Sequence, residues 1–287
     1  MLADIGARTT EDIYTAASQW MPHGRVFGGQ VLAQTVLASG HTVASDRMIH
    51  SLHGYFLRPG DIAIPITFAV DRIHDGRSFS ARRTQAYQNG LPIFSMIASF
   101  QVEDSGLEHQ VDMPAGLPQP EDMPSLDEYI GHSSRTPDAA AEDTWVRRWP
   151  FEFRHVSSPI FRAVVGERTP SQAVWMRAVG AMPDDELLHR AAFAYASDQN
   201  LLEVVMRRHG IAWSTPGLRM ASLDHAMWWH RPGRVDEWFL YVQESPNAIG
   251  GRGLAFGRIY SRDGALIAST SQEGMIRLPR SSDAAGG

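Results

Sequence analysis

Two stretches decide the fold: Met48-Ile49-His50-Ser51-Leu52-His53-Gly54-Tyr55-Phe56-Leu57-Arg58-Pro59-Gly60, and Met220-Ala221-Ser222-Leu223-Asp224-His225-Ala226-Met227-Trp228-Trp229-His230-Arg231-Pro232-Gly233. Each is a run of strand composition closed by Arg-Pro-Gly, and Pro-Gly ends regular structure. The triplet recurs after 173 residues. Downstream of the first copy, strands are expected at Ile62–Ile73, Ser78–Tyr87 and Pro92–Val102, separated by Asp75-Gly76 and by the hairpin dipeptide Asn89-Gly90. Downstream of the second, strands are expected at Trp238–Glu244, Leu254–Tyr260 and Ala265–Met275, separated by Gly250–Gly253 and by Asp263-Gly264. The second hairpin dipeptide follows the first by 174 residues. Two matched turns at nearly one offset indicate an internal duplication.

A helix precedes each set of strands. Gly28–Ser39 carries the apolar stripe Val31, Leu32, Thr35 and Val36. A longer helix is expected over Asp185–Arg208, with Leu187, Leu188, Ala191, Ala192 and Tyr195 as its stripe. Further strands are expected near Ile13–Trp20, Phe151–Val156 and Val174–Val179. One helix wrapped by an antiparallel sheet is the hotdog arrangement, and short antiparallel connections disfavour a parallel α/β sheet. The expected fold class is α+β: a double hotdog in which two fused units form one continuous sheet. The units are residues 1–104 and 148–287, the second carrying the active site. Between them, 105–147 is a surface linker rich in Pro, Asp, Glu and Ser.

Composition excludes several chemistries. The chain has no cysteine, so disulfides, thiolate metal sites and a cysteine nucleophile are ruled out. It also has no lysine, which removes Schiff-base chemistry and a P-loop lysine. A net charge of −6 disfavours nucleic-acid binding. No apolar run is long enough for a membrane span, and the first thirty residues do not read as a signal peptide. The carboxy-terminal Ser-Ser-Asp-Ala-Ala-Gly-Gly carries no peroxisomal or retention tripeptide. A cytoplasmic protein is expected. No Gly-x-Ser-x-Gly elbow occurs, and Gly250-Gly251-Arg252-Gly253 lies between strands, unlike a dinucleotide fingerprint.

Several motifs resemble the acyl-CoA thioesterase II family. They are Arg25–Gln30, His50–Asp61, Asp75–Arg83, Ser222–Pro232 and Ser271-Gln272-Glu273-Gly274, and the resemblance runs from about residue 20 to 277. It implies a catalytic trio of Asp198, Ser222 and Gln272, with serine standing where many relatives carry threonine. It further implies an acyl-CoA substrate, no cofactor, and hydrolysis by a water held between carboxylate, hydroxyl and carboxamide. Asp224, His225 and His50 are candidates to support the trio. Phe27, Gly28, Gly29, His53 and Trp228 are candidates for substrate contact, with Phe56 and Trp229 as further pocket walls.

Gly28-Gly29 could bring helix N–H groups to an anion, or could simply make a tight turn. His50 and His53 should face opposite sides of a regular strand, as should His225 and His230, which suits cross-sheet hydrogen bonding better than a metal site. Two other functions compete. A hotdog enoyl-CoA hydratase would need Asp-x-Asn-Pro with a histidine five residues after the aspartate, where this chain has Glu203 and no proline. The other is a non-catalytic acyl-CoA binder. Around the first-half helix stand Gln30, Gln34 and Thr35 and no aspartate, so one site per chain is expected, in a homo-oligomer.

Overall fold

A computed structural model describes residues 2–4, 11–126, 128 and 149–279. In the first half, β1 (Leu2–Asp4) and β2 (Asp12–Ala16) precede helix α1 (Gly28–Gly40). Then come β3 (Arg47–Phe56), β4 (Ile66–Asp75), β5 (Phe79–Gln88) and β6 (Leu91–Val102). The second half has β7 (Phe151–His155), β8 (Ser171–Ala178), α2 (Glu186–Ser197) and α3 (Glu203–His209). It continues with β9 (Arg219–Ser222), β10 (Asp224–Trp229), β11 (Phe239–Ile249), β12 (Arg252–Ser261) and β13 (Leu266–Arg277).

All these strands belong to one sheet, ordered β1-β2-β4-β5-β6-β3-β10-β13-β12-β11-β8-β7, with β9 added on β13. The order reads as a palindrome about the β3–β10 seam, which is what a duplicated unit joined edge to edge produces. This is the double hotdog expected from the repeat. At the seam Asp224 pairs with Tyr55, His225 with Gly54, Ala226 with His53, Met227 with Leu52 and Trp228 with Ser51.

The turn chemistry explains the tight hairpins. Asn89 and Gly90 both take positive φ (50° and 73°), the pair a two-residue turn needs between twisted antiparallel strands. Gly250 and Gly251 do the same between β11 and β12. Asp263-Gly264 differs: β12 ends at Ser261 and β13 starts at Leu266, and only Gly264 is left-handed there. The loop is longer because the Ser261 and Ala265 backbones close it.

Helices α1 and α2 lie together against one face of the sheet. On α1 the stripe Val31, Leu32, Thr35 and Val36 is buried as expected. Of the stripe expected on α2, Ala191 and Tyr195 are buried, whereas Leu187, Leu188 and Ala192 are only half-buried. Phe193, Ala194, Ala196 and Ser197 are buried too, because α1 covers the side that a surface helix would give to solvent. Arg82 on β5 is almost wholly buried and ties the end of α1 to the β4–β5 hairpin. Its guanidinium donates to Thr42 Oγ1, to the carbonyls of Thr42, His74 and Ala81, and to Asp75.

Three expectations need correction. The long helix over Asp185–Arg208 is two helices, interrupted after Ser197, with Asn200 left-handed at φ 62°. The expected strand Met220–Trp229 breaks at Leu223, whose N–H and C=O bond Glu273 and Phe56 across both neighbouring strands. A β-bulge between Ile49 and Ser51 resets the side-chain alternation on β3. His50 therefore bonds the outward Ser99 at 2.8 Å, and His53 is also exposed on that outer face.

Part of the 105–147 segment is described. Met113, Leu117 and Met123 cover a patch formed by Ala173, Trp175, Trp238, Leu240, Tyr260 and Leu266. Trp175 Nε1–H donates to the Pro118 carbonyl at 3.0 Å, and the Gln110 side chain bonds Gly264 and Leu266. Residues 110–123 thus roof the outer face of the second-half strands. Residue 127, residues 129–148 and the carboxy-terminal heptapeptide lie outside the described residues.

Two stability measurements test this packing. At Gly54 a Cβ would stand 2.4 Å from the buried Phe94 ring. Gly54→Ala should therefore cost about 1–3 kcal/mol in denaturant unfolding, and an unchanged midpoint would contradict the tight seam. Burial pushes the Glu203 carboxyl up to about 7 from 4.5, against the pull of Trp213, Gln172 and Arg207. Between those two values the unfolded chain has lost its proton and the native chain has not. Glu203 therefore lowers stability as pH rises through that window, by up to about 3 kcal/mol, with no further loss above it. Glu203→Gln should remove that slope; a slope identical to wild type would refute the assignment.

Candidate active site

The break after α2 creates the site. Asp198 is the helix C-cap, at φ −79° and ψ −12°, and its carboxylate leaves the helix end half-buried, between β9 and β13. Buried neighbours on both sides, Ala194, Tyr195, Leu201 and Leu202, anchor it. Ser222 ends β9, and Gln272 sits midway along β13, fully buried. Gln272 Nε2 donates to Asp198 Oδ1 at 2.7 Å and to Ser222 Oγ at 2.5 Å, and Ser222 Oγ donates to Asp198 Oδ1 at 3.3 Å. Three residues spread over 75 positions of sequence converge on one point. Gln272 spends both amide protons, and Ser222 its hydroxyl proton, within the trio, which leaves the Asp198 carboxylate and the Ser222 oxygen to accept from a water and Asp198 to take a proton from it.

The other half of the chain closes the gap. Gly28 opens α1, and a Cβ placed there would stand 2.7 Å from Asp198 Oδ2 and 3.0 Å from the Phe56 ring. Only glycine allows the helix start to come so near the carboxylate. Gly29 is just as constrained, its Cβ position lying 2.4 Å from the Tyr195 carbonyl. The α1 ladder begins with bonds from Gln30 and Val31 to the Phe27 carbonyl, so the Gly28 and Gly29 N–H groups precede it. Phe27 packs edge-on against Trp149 and Tyr195, with ring centroids 5.1 Å away in each case. Phe56 packs on Phe94.

The supporting candidates separate into two groups. Asp224 Oδ1 accepts from the Glu273 N–H at 2.7 Å, pinning β13 beside Gln272. His225 is buried and touches the trio directly: its Nδ1 lies 3.1 Å from Gln272 Oε1, and its Nε2 lies 2.9 Å from Ser197 Oγ. Burial holds the His225 imidazole below its usual value, although Asp198, Gln272 and Asp224 pull the other way. His50 does not join this group, because the β3 bulge turns it to Ser99 and Phe79 on the outer face.

His53 and Trp228 also lie away from the trio. They stack edge-to-face at 5.1 Å on the outer face, one position out of phase with the inward Gly54 and His225. Trp229 points inward and is buried. His230 bonds Ser269 on the outer face, so it and His225 do lie on opposite sides.

Sequence reading missed Ser197, Tyr195 and Trp149. Ser197 adjoins Asp198, but nothing in its own context marks it. A small cavity beyond the α2 end is lined by Leu126, Trp149, Phe153, His155, Phe161, Gln199 and Asn200. Glu203, the residue at the hydratase histidine position, bonds Trp213 and Gln172 instead of the Asp198 group. Among the described residues, no group of three or more His, Asp or Glu is placed to hold a metal ion, and no helix is long and apolar enough to cross a membrane.

A family model described as acyl-CoA thioesterase matches residues 141–275, and one described as its N-terminal domain matches residues 16–101. The chain is 38% identical over 277 residues to acyl-coenzyme A thioesterase 8 of Mus musculus, covering 93% of this chain and 85% of that one. It is 37% identical over 269 residues to acyl-CoA thioesterase 2 of Haemophilus influenzae, covering 93% and 92%. The crystal structure of an acyl-CoA thioesterase II from Mycobacterium marinum superposes with a TM-score of 0.76 at 36% identity, over 98% of this chain and 96% of that one. With both halves matched and the same fold, this chain belongs to the acyl-CoA thioesterase family.

Proposed function

We propose that this chain hydrolyses medium- to long-chain fatty acyl-CoA to the free acid and CoA, through a water held by Asp198, Ser222 and Gln272. The observation that carries this reading is the set of hydrogen bonds joining the three side chains beside the α1 N-terminus. The water oxygen bonds to the thioester carbonyl carbon while Asp198 takes one of its protons. The carbonyl electrons move onto oxygen, and collapse of that intermediate breaks the C–S bond. CoA leaves as thiolate and recovers the proton from Asp198. No covalent acyl-enzyme is needed, because a thioester is already an activated acyl group.

The N–H groups of Gly28 and Gly29 would face the developing oxyanion, where the helix dipole and unbonded donors favour negative charge. Phe27 and Phe56 flank that point and would bound the acyl chain. The repeat supports one site per chain: at its offsets Ser222 corresponds to Ile49 and Gln272 to Ala98, both buried apolar residues. The first half would then contribute Gly28, Phe56 and the seam, and no base.

Thiol release from an acyl-CoA ladder tests the reaction. Asp198→Asn should lower turnover ~10²-fold or more in a folded protein. Ser222→Ala should lose roughly tenfold, one hydrogen bond's worth, while Ser222→Thr keeps the hydroxyl and should stay near wild type. Full turnover in Asp198→Asn would move the base elsewhere; no thiol release from any acyl-CoA would end the thioesterase reading.

We also propose that the chains associate through the outer sheet face. Tyr55, Ile97, Trp228 and Phe256 are exposed there on β3, β6, β10 and β12. Light scattering after size exclusion should give a dimer or larger, and Trp228→Glu should shift it toward monomer. A monomeric wild type would dismiss the idea.

A further inference from the structure

We propose that His225 is a positioning residue that locks the Gln272 carboxamide in its working orientation, acting as the neutral Nδ1–H tautomer with Nε2 accepting from Ser197. This deepens the reading of the trio given above and rests on it.

The argument is one of donors and acceptors. A carboxamide can rotate by 180° about its last bond, exchanging O and NH₂ with almost no change of shape. For Gln272 the two orientations are chemically opposite. With Nε2 toward Asp198 and Ser222, it donates at 2.7 and 2.5 Å. Flipped, it would set Oε1 against an ionised carboxylate that can only accept. Once Asp198 has taken a proton during turnover, that objection vanishes and Asp198 alone no longer selects the orientation. Something else must hold the amide, and His225 is placed to do it. Its Nδ1 stands 3.1 Å from Gln272 Oε1, and both side chains are 1% exposed, so solvent does not substitute for the bond.

The tautomer follows from the same accounting. Gln272 Oε1 is an acceptor, so Nδ1 must carry the proton. A neutral ring then leaves Nε2 bare, 2.9 Å from Ser197 Oγ. The Ser197 hydroxyl also lies 2.9 Å from the Ala194 carbonyl and has one proton to give. It turns that proton to Nε2, since an Nε2–H ring would either set the Nδ1 lone pair against Oε1 or, doubly protonated, carry a charge that burial disfavours. The chain of donation therefore runs one way, from Ser197 through His225 and Gln272 to Asp198 and Ser222. Asp224 removes the remaining freedom by holding the Glu273 N–H at 2.7 Å, so the Gln272 backbone cannot slide along the strand.

The test compares His225→Leu with His225→Asn, whose side-chain NH₂ can sit where Nδ1–H was. Both are assayed for thiol release from dodecanoyl-CoA alongside Asp198→Asn, with unfolding midpoints as the folding control. His225→Leu should lose ~10²-fold in kcat, the scale of a mispositioned reactive geometry, with KM little changed. His225→Asn should recover most of that loss. In wild type with ¹⁵N-labelled histidine, the His225 signals at neutral pH should be those of an Nδ1–H ring.

Wild-type kcat in His225→Leu would overturn the proposal. So would a folded His225→Asn as impaired as His225→Leu, or an Nε2–H or doubly protonated His225. If His225→Leu does not fold, the wild-type spectrum still decides the tautomer. Full turnover in Asp198→Asn would instead bring down the trio itself, an outcome distinct from loss in Asp198→Asn with His225→Leu unaffected.

Discussion

The pairing of β3 with β10 is the constraint on which the rest of the molecule depends. It joins two repeats edge to edge, so neither has an open strand at its centre and the helices of both halves fall on one face of a single sheet. A slip of one residue there would invert every side chain on the seam relative to its neighbour. His225 would turn outward and lose Gln272, and Gly54 would no longer leave room for Phe94. The register also presses α1 and α2 together, which brings the α1 N-terminus onto the carboxylate at the α2 C-terminus. The meeting of residues from both halves at the candidate site is thus a consequence of the sheet.

The polar chain threaded through this site differs from the polar groups at the surface. Ser197, His225 and Gln272 are all buried, in a region where an unmatched donor or acceptor costs about 1–3 kcal/mol. Each is matched by the next, and the direction of donation is set at the end by a group that can only accept. Such a network is specified as a whole, because reversing any one bond leaves another unmatched. The outer face has a different economy. His50, His53 and His230 lie there on serines or beside a tryptophan, partly open to solvent, and their hydrogen bonds tie the strands without aiming at any reacting group.

Much of the fold was legible because its signals are local. The Asn89-Gly90 dipeptide demanded a two-residue turn, and both residues have the positive φ that turn requires. The α1 stripe showed which side meets the sheet. Repetition of Arg-Pro-Gly at one offset announced two units before any strand was placed. The three residues now found together at the α2 end were legible only through family motifs; a serine, an aspartate and a glutamine so far apart in sequence have no local signature.

What the sequence by itself determined, then, was periodicity, turn chemistry, the repeat, and the chemistries excluded by having neither cysteine nor lysine. The tertiary structure decided everything that depends on a neighbour distant in the chain. The helix stops at Ser197 and lets Asp198 leave it, although the apolar residues continue to Met206. The bulge at Ile49–Ser51 carries His50 to the face opposite the one that regular alternation assigns relative to His53. Trp228 and Trp229 look equivalent in sequence, yet one is on the outer face and the other is buried. Ser197 becomes important only because His225 arrives from a strand 28 residues away. Local pattern constrains each residue's own dihedrals and its partners one turn away; long-range packing and the satisfaction of buried polar groups choose among the arrangements that pattern leaves open.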